Sequence, residues 1–173
     1  MRFSGVGEQA PANPALPFKQ AVALGQITQW NAEKLLALLQ KLDVAYDRDS
    51  IDQRLQKAHL WLDRYNPDES IALLANPNAA YGQALDAAGR HRIARLAAFL
   101  RTNPQSVAEL ETEVYEIPKD PSLDEKQLKA AQRAFFKDVY SLLIGKETGP
   151  RLSTFLWAVD RDKTLDLLEA AQA

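Results

Sequence analysis

The sequence predicts an all-α protein. From Pro17 onward apolar residues recur at three- and four-residue spacing, and no alternating, strand-like run of useful length interrupts them. The breaks between these segments fall at proline, at glycine, or at Ser, Asn and Asp residues placed to cap a helix. Connections this short favour antiparallel helical neighbours.

Each element follows from a local signal. Residues 1–16, MRFSGVGEQAPANPAL, carry two glycines, two prolines and almost no periodic apolar face, which reads as a tail or entry linker. Pro17 suits the first turn of a short helix through Gly25, where its missing N–H is unneeded. Thr28 or Asn31 caps a second helix with Leu35, Leu36, Leu39 and Leu42 on one face. Ser50 to Gln53 has the form of a capping box, followed by a stripe of Ile51, Leu55, Ala58, Leu62 and Tyr65. Asn66-Pro67 ends that helix, and 67–78 is a mixed connector with room for a helical turn at IALLA. A helix over 80–101 points Ile93, Leu96, Ala97 and Leu100 inward, with Gly89 as a weak centre. Another starts near Asn103-Pro104 and runs through Tyr115. Ser122 to Glu125 forms a second capping box and opens the longest helix, with Leu128, Ala131, Phe135, Val139 and Leu142 in line. A helix with Leu152, Phe155, Leu156 and Val159 follows, and Asp160 or Asp162 caps a last one with Leu165 and Leu168. The helical domain is thus expected over 17–173, with a division into sub-lobes at about 17–78 and 79–173.

Composition narrows the chemistry. At 173 residues, with 46% hydrophobic and 25% charged, the chain can build one real core or two small lobes. A formal net charge of -2 and a pI near 5.7 give no global pull towards nucleic acid, so any such role rests on local patches. Without cysteine there is no disulfide framework, thiolate nucleophile or Cys-based zinc site. No apolar run is long enough for a bilayer and the N-terminus lacks a signal-peptide pattern, so a soluble, cytoplasmic protein is expected. His59 and His91 lack metal-ligand spacing with carboxylates, and no GxSxG context exists. No catalytic constellation, metal site or cofactor is expected in this chain.

GKETGPRL, residues 145–152, superficially resembles a phosphate grip. A P-loop needs GxxxxGK[ST] between strand and helix, so that successive N–H groups surround phosphate. Here the stretch follows a helix, lacks the Gly-Lys-Ser/Thr ending and puts proline where a donor is wanted. It reads as a helix–turn–helix corner, with Gly145 as left-handed C-cap, Pro150 at the next helix start, and positive φ expected at Gly149 too. Lys146 and Arg151 remain able to face phosphate from that corner.

The same stretch carries a resemblance. FFKDVYSLLIGKETGPRLSTFLWAVDRDKTLDLL resembles the C-terminal end of class I lysyl-tRNA synthetases, which finish with FKxxYxxLxGxExGPRLxxF and a further short helix. Phe136, Lys137, Tyr140, Gly145, Glu147, Gly149, Pro150, Arg151, Leu152 and Phe155 carry it. Leu16-Pro17-Phe18 and the stretch from Ala58 to Pro67 are weaker echoes in the same order, so the resemblance covers most of 16–169. It implies the α-helical anticodon-binding domain, similar to the helix cage of certain glutamyl-tRNA synthetases. It further implies tRNA(Lys), not DNA or a membrane, as partner, beside the catalytic domain of the same synthetase. ATP and lysine would bind that catalytic domain. Neither histidine begins a HIGH-like motif and no KMSKS-like string occurs, so this chain by itself is expected to bind, not to catalyse. A free-standing helical protein-interaction module is the alternative.

Candidate tRNA contacts follow from charge and ring placement. In RHRIAR, residues 90–95, Arg92 and Arg95 are i,i+3 neighbours, with Phe99 one turn on, a pattern for phosphate beside a stacked base. Against it stands a solvated face. Phe18-Lys19 pairs an aromatic with a cation at the domain entrance, although Phe18 also suits a core. Lys137, Lys146 and Arg151 are motif cations, and Glu147 suits backbone donors at the turn. Trp157 lies off its helix's apolar line and is the better surface ring, whereas Trp61 sits beside a buried stripe.

Overall fold

The computed structural model describes residues 13–173, and among them the regular structure is helical with no strand. The chain divides into two compact units, one ending at Ser70 and one spanning Ile71–Ala173.

The first unit holds α1 (Phe18–Ile27), α2 (Ala32–Lys41) and α3 (Arg48–Tyr65), then a single 3-10 turn at Pro67–Glu69. α1 packs chiefly on α3. Leu16, Ala21, Leu35, Leu39, Ile51, Leu55 and Ala58 form the core, with Phe18, Leu24, Trp30 and Tyr46 against it. Leu16 departs from the expected tail. It is fully buried, its N–H donates to Ser50 Oγ (3.1 Å), and Pro14 O accepts from Asp47 N–H (2.9 Å). The remainder of the expected tail, 1–12, lies outside the described residues. Asn31 caps α2, accepting from Lys34 N–H, while the Thr28 hydroxyl donates back to Leu24 O and closes α1. The box at Ser50 is not the start of α3. Asp47 accepts from Ser50 N–H three residues earlier, because a carboxylate is the stronger acceptor for the free N–H groups of the first turn. Tyr65, expected on the buried stripe, is 66% exposed at the helix's last residue.

The corner between α1 and α2 is unusual. Gln29 (φ 56°) and Trp30 (φ 60°) both lie in the left-handed region without being glycine, at roughly 1–2 kcal/mol each. The Trp30 ring offsets this. It packs against the α1 backbone, where a Cβ at Gly25 would stand 2.5 Å from Trp30 Cε3. It also stacks on His59, with centroids 4.4 Å apart and planes 10° from parallel.

The second unit begins with an extended segment, 71–78, in place of the helical turn allowed for at IALLA. Leu74 N–H donates to Leu143 O (2.8 Å), and Asn78 Nδ2 to Ser141 O (3.0 Å). Then come α4 (Ala79–Ala84), α5 (Ala87–Arg101), α6 (Val107–Glu116), α7 (Glu125–Leu143), α8 (Leu152–Ala158) and α9 (Arg161–Ala170). α7 packs against α4, α5 and α9, and α6 packs on α8. Its Phe135, Val139, Leu142 and Leu143 are buried with Ile93, Leu96 and Leu100 of α5 and Leu110 and Val114 of α6. Each such side chain contributes about 1.5–3 kcal/mol relative to exposure.

The expected helix over 80–101 is two helices. Asp86 accepts from Gly89 N–H (2.6 Å), starting α5 afresh and placing Gly89 in its first turn. The second capping box also shifts: it is Asp124 with Gln127, each side chain bonded to the other's N–H, while Ser122 bonds to Asp120. Asp160 caps α9. No helix of the described residues is long and apolar enough to cross a membrane.

Candidate functional site

The stretch 145–152 is a corner between α7 and α8. Gly145 adopts φ +70° after the last turn of α7, as a left-handed C-cap requires. Gly149 has another role, since its φ is not in the left-handed region. A Cβ there would stand 2.7 Å from Tyr140 Cε1 and 2.8 Å from Cδ1, so its missing side chain lets the Tyr140 ring lie against the chain. The Tyr140 hydroxyl donates to Pro150 O, fixing the ring beneath the corner. Burial, with a smaller contribution from Tyr115, pushes this phenol up to about 12. Arg151 occupies the N-cap position of α8 without a side-chain cap bond.

Beside the corner is a cleft of about 150 Å³ between α6, α7 and the start of α8, lined by Glu111, Tyr115, Phe136, Tyr140, Arg151 and Ser153 among others. Helical periodicity builds it. Glu111 and Tyr115 are one turn apart on α6, and Phe136 and Tyr140 one turn apart on α7. Tyr115 meets Phe136 edge-on, with centroids 5.7 Å apart and 80° between planes. Tyr115 is 44% exposed, while Ser153 is 2% exposed and its Oγ has no hydrogen-bond partner among the described residues. Arg151 forms an ion pair with Glu111, and this bond is the main reason its guanidinium is held above its ordinary value.

The cations singled out in the sequence are distributed, and several have glutamate partners. Lys137 pairs with Glu147 across the corner (3.4 Å), and Arg95 of α5 with Glu113 of α6 (3.4 Å). Thus Glu147 faces a lysine side chain. Exposed pairs of this kind are worth about 0–1 kcal/mol and exchange partners readily. Lys146 is half-buried in the corner, and its carbonyl lies 3.5 Å from the Ser141 hydroxyl. Trp157 is half-buried on α8. Phe18 and Lys19 belong to the first unit. Phe18 packs on the core and meets Trp61 edge-on (5.7 Å), and Lys19 is exposed on α1.

Arg92 stands apart from Arg95, in a second cleft of about 260 Å³ with Tyr81, Asp86 and Asp138. Its Nε is buried and has no hydrogen-bond partner among the described residues. The Tyr81 hydroxyl donates to Asp138 Oδ1 (2.7 Å). Burial raises the Asp138 carboxyl above the ordinary range, against the opposing pull of Tyr81 and then Arg92. Burial, followed by the bond to Asp138, raises the Tyr81 phenol as well. Among the described residues no cluster of His, Asp or Glu is arranged to hold a metal ion.

Sequence reasoning missed Glu111, Tyr115 and Ser153 as cleft residues. Ser153 and Thr154 do interrupt an otherwise apolar run, LSTFLW, which marks two hydroxyls placed on a buried helix face.

No family model matches the chain. Curated proteins do. The chain is 31% identical over 178 residues to the lysine–tRNA ligase of Streptomyces coelicolor, covering 95% of this chain and 30% of that protein. It is 26% identical over 175 residues to the lysine–tRNA ligase of Archaeoglobus fulgidus (99% and 33%), and 27% identical over 154 residues to that of Pyrococcus furiosus (84% and 28%). The chain spans about a third of the length of these relatives. With its all-helical structure, this chain is homologous over nearly its whole length to a domain-sized part of the lysine–tRNA ligases.

Proposed function

We propose that this chain binds tRNA(Lys) through the anticodon loop, as the helical domain of a lysine–tRNA ligase, and orients it for a catalytic domain carried elsewhere. The observation that carries this reading is the match to lysine–tRNA ligase over 95% of the chain, joined to an all-α structure. An unstacked loop offers base faces and edges to side chains, which suits a helical surface set with rings and cations. The chain's contribution is binding and orientation, and the bond-making chemistry with ATP and lysine belongs to the catalytic domain. Arg95, Lys137 and Arg151 supply charge for phosphate after exchanging their glutamate partners.

Titration at low salt of a tRNA(Lys) transcript, beside one with a replaced anticodon, tests the reading. The expected result is tighter binding to the native transcript, by roughly 1–3 kcal/mol per well-read base, weakening as salt rises. Equal affinity for both transcripts overturns anticodon reading. Absence of binding to either overturns tRNA binding and favours a helical module for a protein partner.

A further inference from the structure

We infer that the cleft between α6, α7 and the start of α8 holds one unstacked nucleobase, an inference that rests on the tRNA-binding reading above. Its size selects the ligand. Drug- and cofactor-sized molecules fill pockets of roughly 300–1,000 Å³, whereas this cleft of about 150 Å³ has room for one ring system.

Its lining supplies the three things a base requires. The first is a ring to stack on: Tyr115 projects from α6 with 44% of its surface exposed, braced edge-on by Phe136. The second is a polar atom for the base edge. Ser153 lines the cleft, and its buried Oγ has no partner among the described residues, although a buried hydroxyl normally finds one. A hydroxyl both donates and accepts, so it can meet either a carbonyl or an amino group of a base. The third is charge at the rim for the adjoining phosphate. Arg151 is 68% exposed and paired with Glu111. Tyr140 is not available as an edge donor, because its hydroxyl is committed to Pro150 O. It forms the floor.

The test uses the 173-residue chain and the anticodon stem-loop of tRNA(Lys), native and with single abasic substitutions across the loop. Tyr115→Ala is expected to weaken binding of the native stem-loop roughly tenfold or more, the effect of losing one stacking ring. Tyr115→Phe, which keeps the ring, retains affinity. Ser153→Ala weakens binding roughly threefold or more. Leu60→Ala, at an exposed apolar residue of the first unit, changes nothing. One abasic position should weaken the wild type and have no further effect on Tyr115→Ala, which identifies the base in the cleft. Thermal melting confirms that each variant is folded before titration. Wild-type affinity in Tyr115→Ala, equal loss in Tyr115→Phe and Tyr115→Ala, or no abasic position masked by Tyr115→Ala would each overturn the base site while leaving RNA binding standing. Failure of the wild type to bind the stem-loop overturns the underlying reading, and the inference with it.

Discussion

The corner between α1 and α2 and the corner between α7 and α8 are built by one device and put to different uses. In each, a glycine without a side chain lets an aromatic ring lie against the backbone: Gly25 beneath Trp30, Gly149 against Tyr140. At the first corner the ring is turned inward, stacked on His59 and packed on the core, and it holds two non-glycine residues in left-handed conformations. At the second, glycine itself takes the left-handed position at Gly145, and the ring becomes the floor of a cleft opening beside Tyr115 and Arg151. The first corner closes a core. The second leaves space beside one.

Breaking the rings away from their glycines gives the largest expected effect. Gly25→Ala adds a methyl against a rigid indole in a buried site and should destabilise the chain by about 2–3 kcal/mol, even after the roughly 1 kcal/mol that alanine gains in a helix. Gly149→Ala meets the Tyr140 ring at a solvent-facing position with more freedom to yield, so about 1–2 kcal/mol is expected. Urea unfolding of both variants checks the order. A larger loss at Gly149 would mean that the second corner, not the first, is the tighter.

A smaller effect separates the hydroxyl from the ring. Tyr140→Phe keeps the floor and removes the bond to Pro150 O, at about 1 kcal/mol near neutral pH. The phenol is raised from 10 to about 12 in the folded chain, so the folded state holds its proton more tightly than the unfolded state. Wild-type stability should therefore fall as pH rises from 10 through about 12, and Tyr140→Phe should lack that part of the fall. Melting temperature against pH for the pair reads it directly.

The smallest effect lies in the second cleft. The Asp138 carboxyl is raised above its unfolded value of 3.8, so its contribution to stability is present below that value and declines as pH rises through the folded one. Asp138→Asn retains an acceptor for Tyr81 and removes the ionisation. Its melting temperature relative to wild type should be higher at pH 7 than at pH 4. A difference that stays constant with pH would show that the carboxyl is not raised.

Helical periodicity made the α-class and most buried stripes legible in the sequence, because one face of each helix meets a core. Starts were harder to place. Two Ser-x-x-Gln/Glu strings at Ser50 and Ser122 matched the capping pattern, yet Asp47 and Asp124 hold the caps. A carboxylate nearby outcompetes a hydroxyl for the same free N–H groups. The break at Asp86 was hidden for another reason: the leucine and alanines around it carry no turn signal. Leu16 was unreadable because its burial is decided by Ser50 and α3, which lie far along the chain. The candidate cations were legible as charges. Their partners Glu111, Glu113 and Glu147 were not, because pairing depends on which helices become neighbours.

The segment 71–78 has no regular structure of its own, yet it terminates the longest helix of its unit. Leu74 and Asn78 donate to the carbonyls of Leu143 and Ser141, groups that a helix end leaves without partners. Asn78 reaches Ser141 across 63 positions of sequence. During synthesis, then, the clasp emerges from the ribosome well before the helix it fastens, and its bonds form only after residue 143 has been made. The end of α7 is therefore a late contact of high sequence separation.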